Sequence, residues 1–240
     1  MRLAVFYHCL LFMGQPPELL DKALVVVTEQ MAQLKSSGLE SAAEEIHIGI
    51  NGGEESELFR ELFPAKAQIT HHGLKSKSEN LTCVMMENWV KTHLGWAVLY
   101  FHAKSATYKI GDARGTMGDN WRHRMMWHCV DNWQQCVNDL DQFEAVGCHW
   151  TCFQKGQFHK GAWCPCRNEA RDYQSQHYFA GTFFWVRSEF WATIPSLYTR
   201  QRIKDSGIDS LESRFEAEVI IGTGPRLPRV NSYHDGQIGT

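Results

Sequence analysis

Four groups of residues in this 240-residue chain have types and spacings suited to chemistry. The first is His102-Ala103-Lys104, directly after the apolar run Trp96–Phe101. In an open α/β sheet, ligands bind outside the carboxyl ends of the strands, so an imidazole and an amine there stand where a ligand would be met. Strand alternation puts His102 and Lys104 on the same side, and a solvated loop lysine is the alternative. The second is Trp121-Arg122-His123-Arg124, which reads as the opening of a helix. Cations there oppose the helix dipole unless an anion joins them, and a phosphate held by Arg122 and the free backbone N–H groups would resolve the conflict. A solvated first turn is the alternative.

The third group is Cys148, Cys152, His159, Cys164 and Cys166, with His149 beside them. Its thiolates can supply a tetrahedral structural zinc through Cys148, Cys152, Cys164 and Cys166. The spacings match no standard zinc module, and buried free thiols are the ordinary reading. The fourth is the carboxylate pair Glu216 and Glu218. Two positions apart, they do not share a helix face. Either both are surface charges, or one faces a cleft as a general base whose pKa apolar neighbours would raise.

The elements that position these groups alternate. Residues 2 to 12 form a β-rich apolar run, and Pro16-Pro17 opens a helix carrying Leu20, Leu24, Val27, Met31 and Leu34 as far as Ser36. Residues 45 to 50 predict a second strand, 54 to 63 a short helix stopped by Pro64, 66 to 71 a third strand and 79 to 94 a third helix. Trp96–Phe101 is the fourth strand. Gly111, Gly115 and Gly118 suggest a hinged loop over Asp112–Asp119 that covers a ligand. A helix from about 120 to 143 buries Met126, Cys129, Val130, Trp133, Val137 and Leu140, and 145 to 150 is a fifth strand. Residues 151 to 176 read as a long irregular connection, 178 to 191 resume sheet character, 214 to 221 are helical or mixed, and the tail from Gly222 is a cover or a frayed end. Strands alternating with helices in this way predict an α/β protein, a three-layer, mostly parallel twisted sheet in one domain.

Composition narrows the partners. With 43% hydrophobic and 21% charged residues the chain can bury a substantial core, and a net charge of -3 offers no overall basic field for nucleic acid or an anionic membrane. The N-terminal run lacks a small-residue cleavage site and is too short to span a bilayer, so it is expected to be the first buried strand rather than a signal peptide. Eight cysteines without a secretory signal are expected to be reduced, which places the protein in the cytoplasm.

The order of several short motifs carries a resemblance: Tyr100-Phe101-His102-Ala103-Lys104, then Trp121-Arg122 with Met125, Ala145-Val146-Gly147 with Trp150, Phe179-Ala180-Gly181-Thr182-Phe183-Phe184-Trp185 with Arg187, then Glu218 and Gly222. Over about residues 96 to 225 this resembles a family of small glycosyltransferase-like proteins from bacterial polysaccharide clusters and from viruses or phages, similar to the GT-A nucleotide-sugar transferase fold. The resemblance implies a domain with a nucleotide-sugar-binding half at residues 1–125, an acceptor-side half at 126–225 and a tail at 226–240. It implies a nucleotide-diphosphate sugar donor near Phe6, Tyr7, His8, His102, Lys104 and Arg122. The acceptor, a glycan or other hydroxyl compound, would lie by Gly181 and Trp185, with Glu218, and Glu216 in reserve, as base. The wider fold places an Asp-x-Asp at the end of the fourth strand to hold manganese or magnesium; here that place reads His-Ala-Lys, and the chain's Asp-x-Asp, Asp139 and Asp141, falls late in a helix. No cofactor is then required, Lys104 and Arg122 standing in for the metal; a divalent ion such as manganese or magnesium is the alternative. A non-catalytic sugar- or partner-binding module of the same fold, with or without zinc in the cysteine-rich loop, is the alternative.

Overall fold

The computed structural model describes residues 1–11, 16–52, 59–73, 79–154, 157–160, 175–196 and 215–233. Its centre is strand β1 (Arg2–Leu10), seven of whose nine residues are buried. A strand apolar on both faces must be covered on both, and β1 therefore pairs in parallel with β2 (Glu45–Asn51) on one side and β4 (Trp96–His102) on the other. β3 (Gln68–His71) extends the sheet beyond β2, while β9 (Phe184–Arg187), β5 (Ala145–Cys148) and β10 (Val230–Tyr233) extend it beyond β4, giving the order β10-β5-β9-β4-β1-β2-β3. β9 runs antiparallel to β4 and β5; the other pairings are parallel. The expected α/β, mostly parallel sheet is present.

Alternate strand residues feed two cores. Val5, Tyr7, Ile48, Leu99, Phe101 and Trp185 face helix α1 (Pro17–Ser36), helix α4 (Ala113–Met126), the π-helical turn Trp127–Asp131 and helix α5 (Trp133–Asp139). Ala4, Phe6, Val98, Tyr100, Phe184 and Val186 face α3 (Asn80–Val90), α6 (Ser188–Trp191), α7 (Phe215–Val219) and the 3-10 turn Ile220–Gly222. A single turn, α2 (Leu39–Ala42), joins α1 to β2. Helices therefore cover both faces, the three layers expected. No described helix is long and apolar enough to cross a membrane.

Four expectations are corrected. The helix placed from residue 120 begins at Ala113, capped by the Asp112 carboxylate on the backbone N–H groups of Arg114 and Gly115. The residues read as a hinged loop are thus mostly helix, and Arg122 lies in its interior. The fifth strand breaks at His149, and Trp150–Gln154 forms β6 of a second sheet with β7 (Gln157–Lys160) and β8 (Ser175–Phe179), so this part of the expected irregular connection is ordered as antiparallel strands. The short helix expected to 63 is a 3-10 turn over its described residues, 59–62. The tail contributes β10, whose Asn231 and Tyr233 side chains both donate to Asp139 Oδ2 at the end of α5. Asp139 is therefore an acceptor that anchors the edge strand.

Trp185 is completely buried, and its indole N–H donates to the Cys129 carbonyl within the π-helical turn at 2.8 Å. Trp185→Ala is expected to cost about 3–5 kcal/mol, as cavity-forming aromatic truncations do, whereas Trp127→Ala, at a ring 48% exposed, should stay within about 0.5 kcal/mol. Urea unfolding of the two variants checks this; equal losses would contradict the packing described.

Candidate functional site

The strand order reverses at β1. The chain winds outward through β2 and β3, then crosses back to lay β4 on the other side of β1. In open α/β sheets the carboxyl ends flanking such a reversal are where ligands settle. His8 and His102 are register partners at those two ends, both directed to the α3 face.

At this corner the backbone and helix α3 build a buried polar cluster. Glu79, at the start of α3, accepts the Tyr100 hydroxyl at 2.8 Å and His102 Nδ1 at 2.9 Å on one oxygen, Oε2. Burial alone would raise the Glu79 pKa, but the charge and hydrogen bond of His102, with His8 and Tyr100, more than offset it and hold the carboxyl below its ordinary range. Beside it, the Thr82 hydroxyl lies 2.8 Å from His8 Nδ1 and 3.0 Å from His72 Nε2. Burial lowers the His8 pKa to about 3 and that of His72 to about 4, so both rings are neutral near neutral pH. Gly49 makes the approach possible: a Cβ there would overlap Thr82 Oγ1 and crowd His72 Nε2 at 2.6 Å.

The other side of the same edge carries Lys104. β4 stops at His102, and a tight turn, with the Lys104 N–H donating to the His102 carbonyl at 2.7 Å, sends Lys104 across to the α4 face. There its ammonium sits over the Trp121 ring, 4.3 Å from the centroid. His102 and Lys104 thus bracket the strand end from opposite faces, where alternation had put them on one. Three non-glycine residues with positive φ ring this edge: Ser105 (68°) after β4, His149 (57°) after β5 and Thr182 (57°) before β9. Strain of this kind persists only where neighbours enforce it, and Asp119 does so for Ser105 by accepting its hydroxyl.

The remaining expected site residues are placed as follows. Phe6 is wholly buried, stacked on His47 at 4.5 Å, and Tyr7 is wholly buried on the opposite face, donating to Gln30 Oε1 at 2.8 Å. Alternation carries their side chains into the two cores, so only His8 of this trio joins the cluster. Arg122, 2% exposed, is matched by Glu29 at 2.9 Å and Asp119 at 3.2 Å, and Asp119 also binds Lys22. Carboxylates, not a phosphate, answer its charge. Trp185 lies in the core rather than on an acceptor surface. Gly181, with φ 93°, packs close to Met125 and the Lys104 stem, at the edge. Glu218 is half-buried on α7, which packs against α3 and β8. Glu216 lies on the same helix.

Cys148 is buried with its sulfur 3.9 Å from that of Cys129 and belongs to the α1-side core. Cys152 lies on β6, while Cys164 and Cys166 lie outside the described residues. No group of three or more potential metal ligands occurs among the described residues.

A cavity of about 510 Å³ lies elsewhere, between α1 and the chain before β3, lined by Thr28, Met31, Lys35, Glu61 and Leu62. Its lining shares no residue with the clustered polar groups.

Sequence reasoning missed Glu79, Thr82, His72 and Gly49. The legible signal was a run of polar residues inside or just past buried strands, at His8, His47, His72 and His102. Glu79 reads only as a favourable charge at a helix start.

The sequence matches no family profile and no curated protein. In chain course the protein is similar to 4-diphosphocytidyl-2C-methyl-D-erythritol synthase from Anaerococcus prevotii, at 10% identity over 97% of this chain and 88% of that one, TM-score 0.44. It is similar to a CMP:2-keto-3-deoxy-manno-octonic acid synthetase complexed with CTP, at 12% identity over 98% and 90%, TM-score 0.44. HddC from Yersinia pseudotuberculosis, complexed with GMP-PN, is similar at 8% identity over 98% and 90%, TM-score 0.48.

The cluster makes stability pH-dependent. His8 and His72 bind protons less readily when folded than at their ordinary pKa of 6.5, so the unfolded chain takes up more protons on acidification. Their contribution is complete above 6.5 and declines as pH falls toward 4 and 3, and the lowered Glu79 adds loss in the same direction. Urea midpoints should fall steadily on acidification from neutral pH and less steeply in a His8→Gln/His72→Gln variant; an unchanged slope would contradict the buried neutral rings. Gly49→Ala should cost about 1–3 kcal/mol by overpacking.

Proposed function

We propose that this protein is a glycosyltransferase that binds a nucleotide-diphosphate sugar across the carboxyl ends of β1 and β4 and transfers the sugar to a hydroxyl of a glycan, lipid-linked sugar or other acceptor. The observation that carries the reading is the bracketing of one strand end, at the reversal of strand order, by His102 on one face and Lys104 on the other. On this reading residues 1–125 are the nucleotide-sugar half and residues 126–225 the acceptor half of one domain.

Departure of a nucleotide diphosphate leaves negative charge on the β-phosphate, and a preorganised cation stabilises it in the transition state. Lys104 is the proposed cation. Arg122 is dropped from that role because Glu29 and Asp119 already answer it. A divalent ion does not fit the end of β4: of the carboxylates described there, Glu79 already takes two hydrogen bonds on Oε2, and Asp119 is engaged by Lys22, Ser105 and Arg122. The transfer is therefore proposed to proceed without a metal there. Glu218 is proposed as the base for the acceptor hydroxyl, with Glu216 in reserve, and the acceptor is placed beside Gly181.

The missing acidic pair also favours a second reading, a non-catalytic sugar- or partner-binding module of the same architecture. Incubation of the purified protein with a panel of nucleotide sugars separates the two. Free nucleotide diphosphate, detected by mass spectrometry, is expected; binding without release would favour the module, and release of pyrophosphate would indicate nucleotidyl transfer instead. Lys104→Ala should lower turnover about a hundredfold or more, the scale for losing one preorganised charge-stabilising donor. Glu218→Gln should lower turnover while leaving donor affinity nearly intact. Activity abolished by EDTA, restored by manganese and indifferent to Lys104→Ala would contradict the proposal.

A further inference from the structure

Glu79 does more than close the start of α3. A carboxylate on His102 Nδ1 fixes the ring with its Nδ1 proton toward Glu79, so Nε2 becomes the atom that exchanges protons with whatever meets the strand end. Nε2 is enclosed and has no hydrogen-bond partner among the described residues. An enclosed ring nitrogen without a partner costs free energy, and a ligand oxygen at that point removes the cost. The Tyr100 hydroxyl on the same Glu79 oxygen helps fix the carboxylate in place.

From these contacts we infer that His102 is the general acid of the proposed transfer, giving its Nε2 proton to the departing diphosphate, with Glu79 as the positioning residue that orients the ring. The inference rests on the donor reading above. The bond between the anomeric carbon and the β-phosphate oxygen breaks, its electron pair stays on that oxygen, and the Nε2 proton moves onto it. The acceptor oxygen forms the new bond to the anomeric carbon and releases its proton to the proposed base, Glu218. Solvent then returns a proton to His102 and removes one from Glu218, so nothing is oxidised or reduced.

Position decides for acid over base. His102 shares its strand end with Lys104, the cation assigned to the leaving group, and so stands where the diphosphate departs. Among the described residues, the groups facing the ring are Glu79 from α3, Tyr100 on its own strand, His8 from β1 with His72 and Thr82 behind it, and Phe183 ahead of β9; Lys104 lies beyond the turn. Among the histidines, His8 and His72 are held neutral by burial and add no competing charge.

Nitrogen-15 spectra of histidine-labelled protein read the ring without any turnover. Inorganic pyrophosphate is expected to move the His102 Nε2 resonance and leave that of Nδ1, held by Glu79, nearly in place, because a phosphate oxygen supplies the partner that Nε2 lacks. A His102 Nε2 resonance unmoved by pyrophosphate overturns the inference. Failure of the glycosyl-transfer reading shows separately, as absence of nucleotide diphosphate release. With an active donor, kcat/KM should fall on the alkaline side as His102 loses its proton, and His102→Asn should lower kcat about a hundredfold or more. Glu79→Gln, which loosens the ring's orientation, should lower kcat while leaving KM for the donor nearly unchanged; Tyr100→Phe, which keeps the Glu79–His102 contact, should retain most of the turnover. A profile that instead falls on the acid side, with that limb abolished in His102→Asn, would make His102 a base and overturn the inference.

Discussion

A carboxylate taken out of water must be met by donors, and Glu79 meets that requirement by joining three parts of the molecule. It begins α3, the only helix between β3 and β4 among the described residues, and accepts from Tyr100 and His102 at the end of β4, while Thr82 of the same helix meets His8 on β1. The two central strands and the helix over them are thereby pinned at one corner. That corner is also where the order of strands reverses, so the structural constraint and the candidate chemistry share residues.

A second polar network supports the edge from the opposite face. Asp119 accepts from Lys22 on α1, from Ser105 after β4 and from Arg122 one turn along α4. This ties the segment that carries Lys104 to two helices and holds Ser105 at its positive φ. Breaking one partner of such a buried set leaves the others uncompensated, which is why Arg122 reads as a member of the scaffold.

Much of the fold was legible because its signals are local. The apolar runs at β1 and Trp96–Phe101, the Pro-opened periodicity of α1 and the strand-helix alternation come from burial on two faces or along one stripe, and each is visible in a short window. What was misread depends on distant partners. The start of α4 rests on a cap at Asp112 inside a glycine-rich stretch that imitates a loop. β10 is a half-buried edge strand whose polar side chains are satisfied by Asp139, ninety-odd residues earlier in the chain. At the site, His102 and Lys104 were found from their place after a buried strand, but the turn that sends them to opposite faces follows no periodicity. Glu79 and Thr82 became visible only when α3 was laid across the ends of β1 and β4.

The central claim is that the carboxyl ends of β1 and β4 receive a nucleotide diphosphate. A crystal structure of the protein soaked with a nucleoside diphosphate tests it most directly. The account predicts the diphosphate over that corner, with its oxygens in hydrogen-bonding reach of His102 Nε2 and Lys104 Nζ. A diphosphate seated in the cavity between α1 and the chain before β3, with His102 and Lys104 untouched, would contradict it.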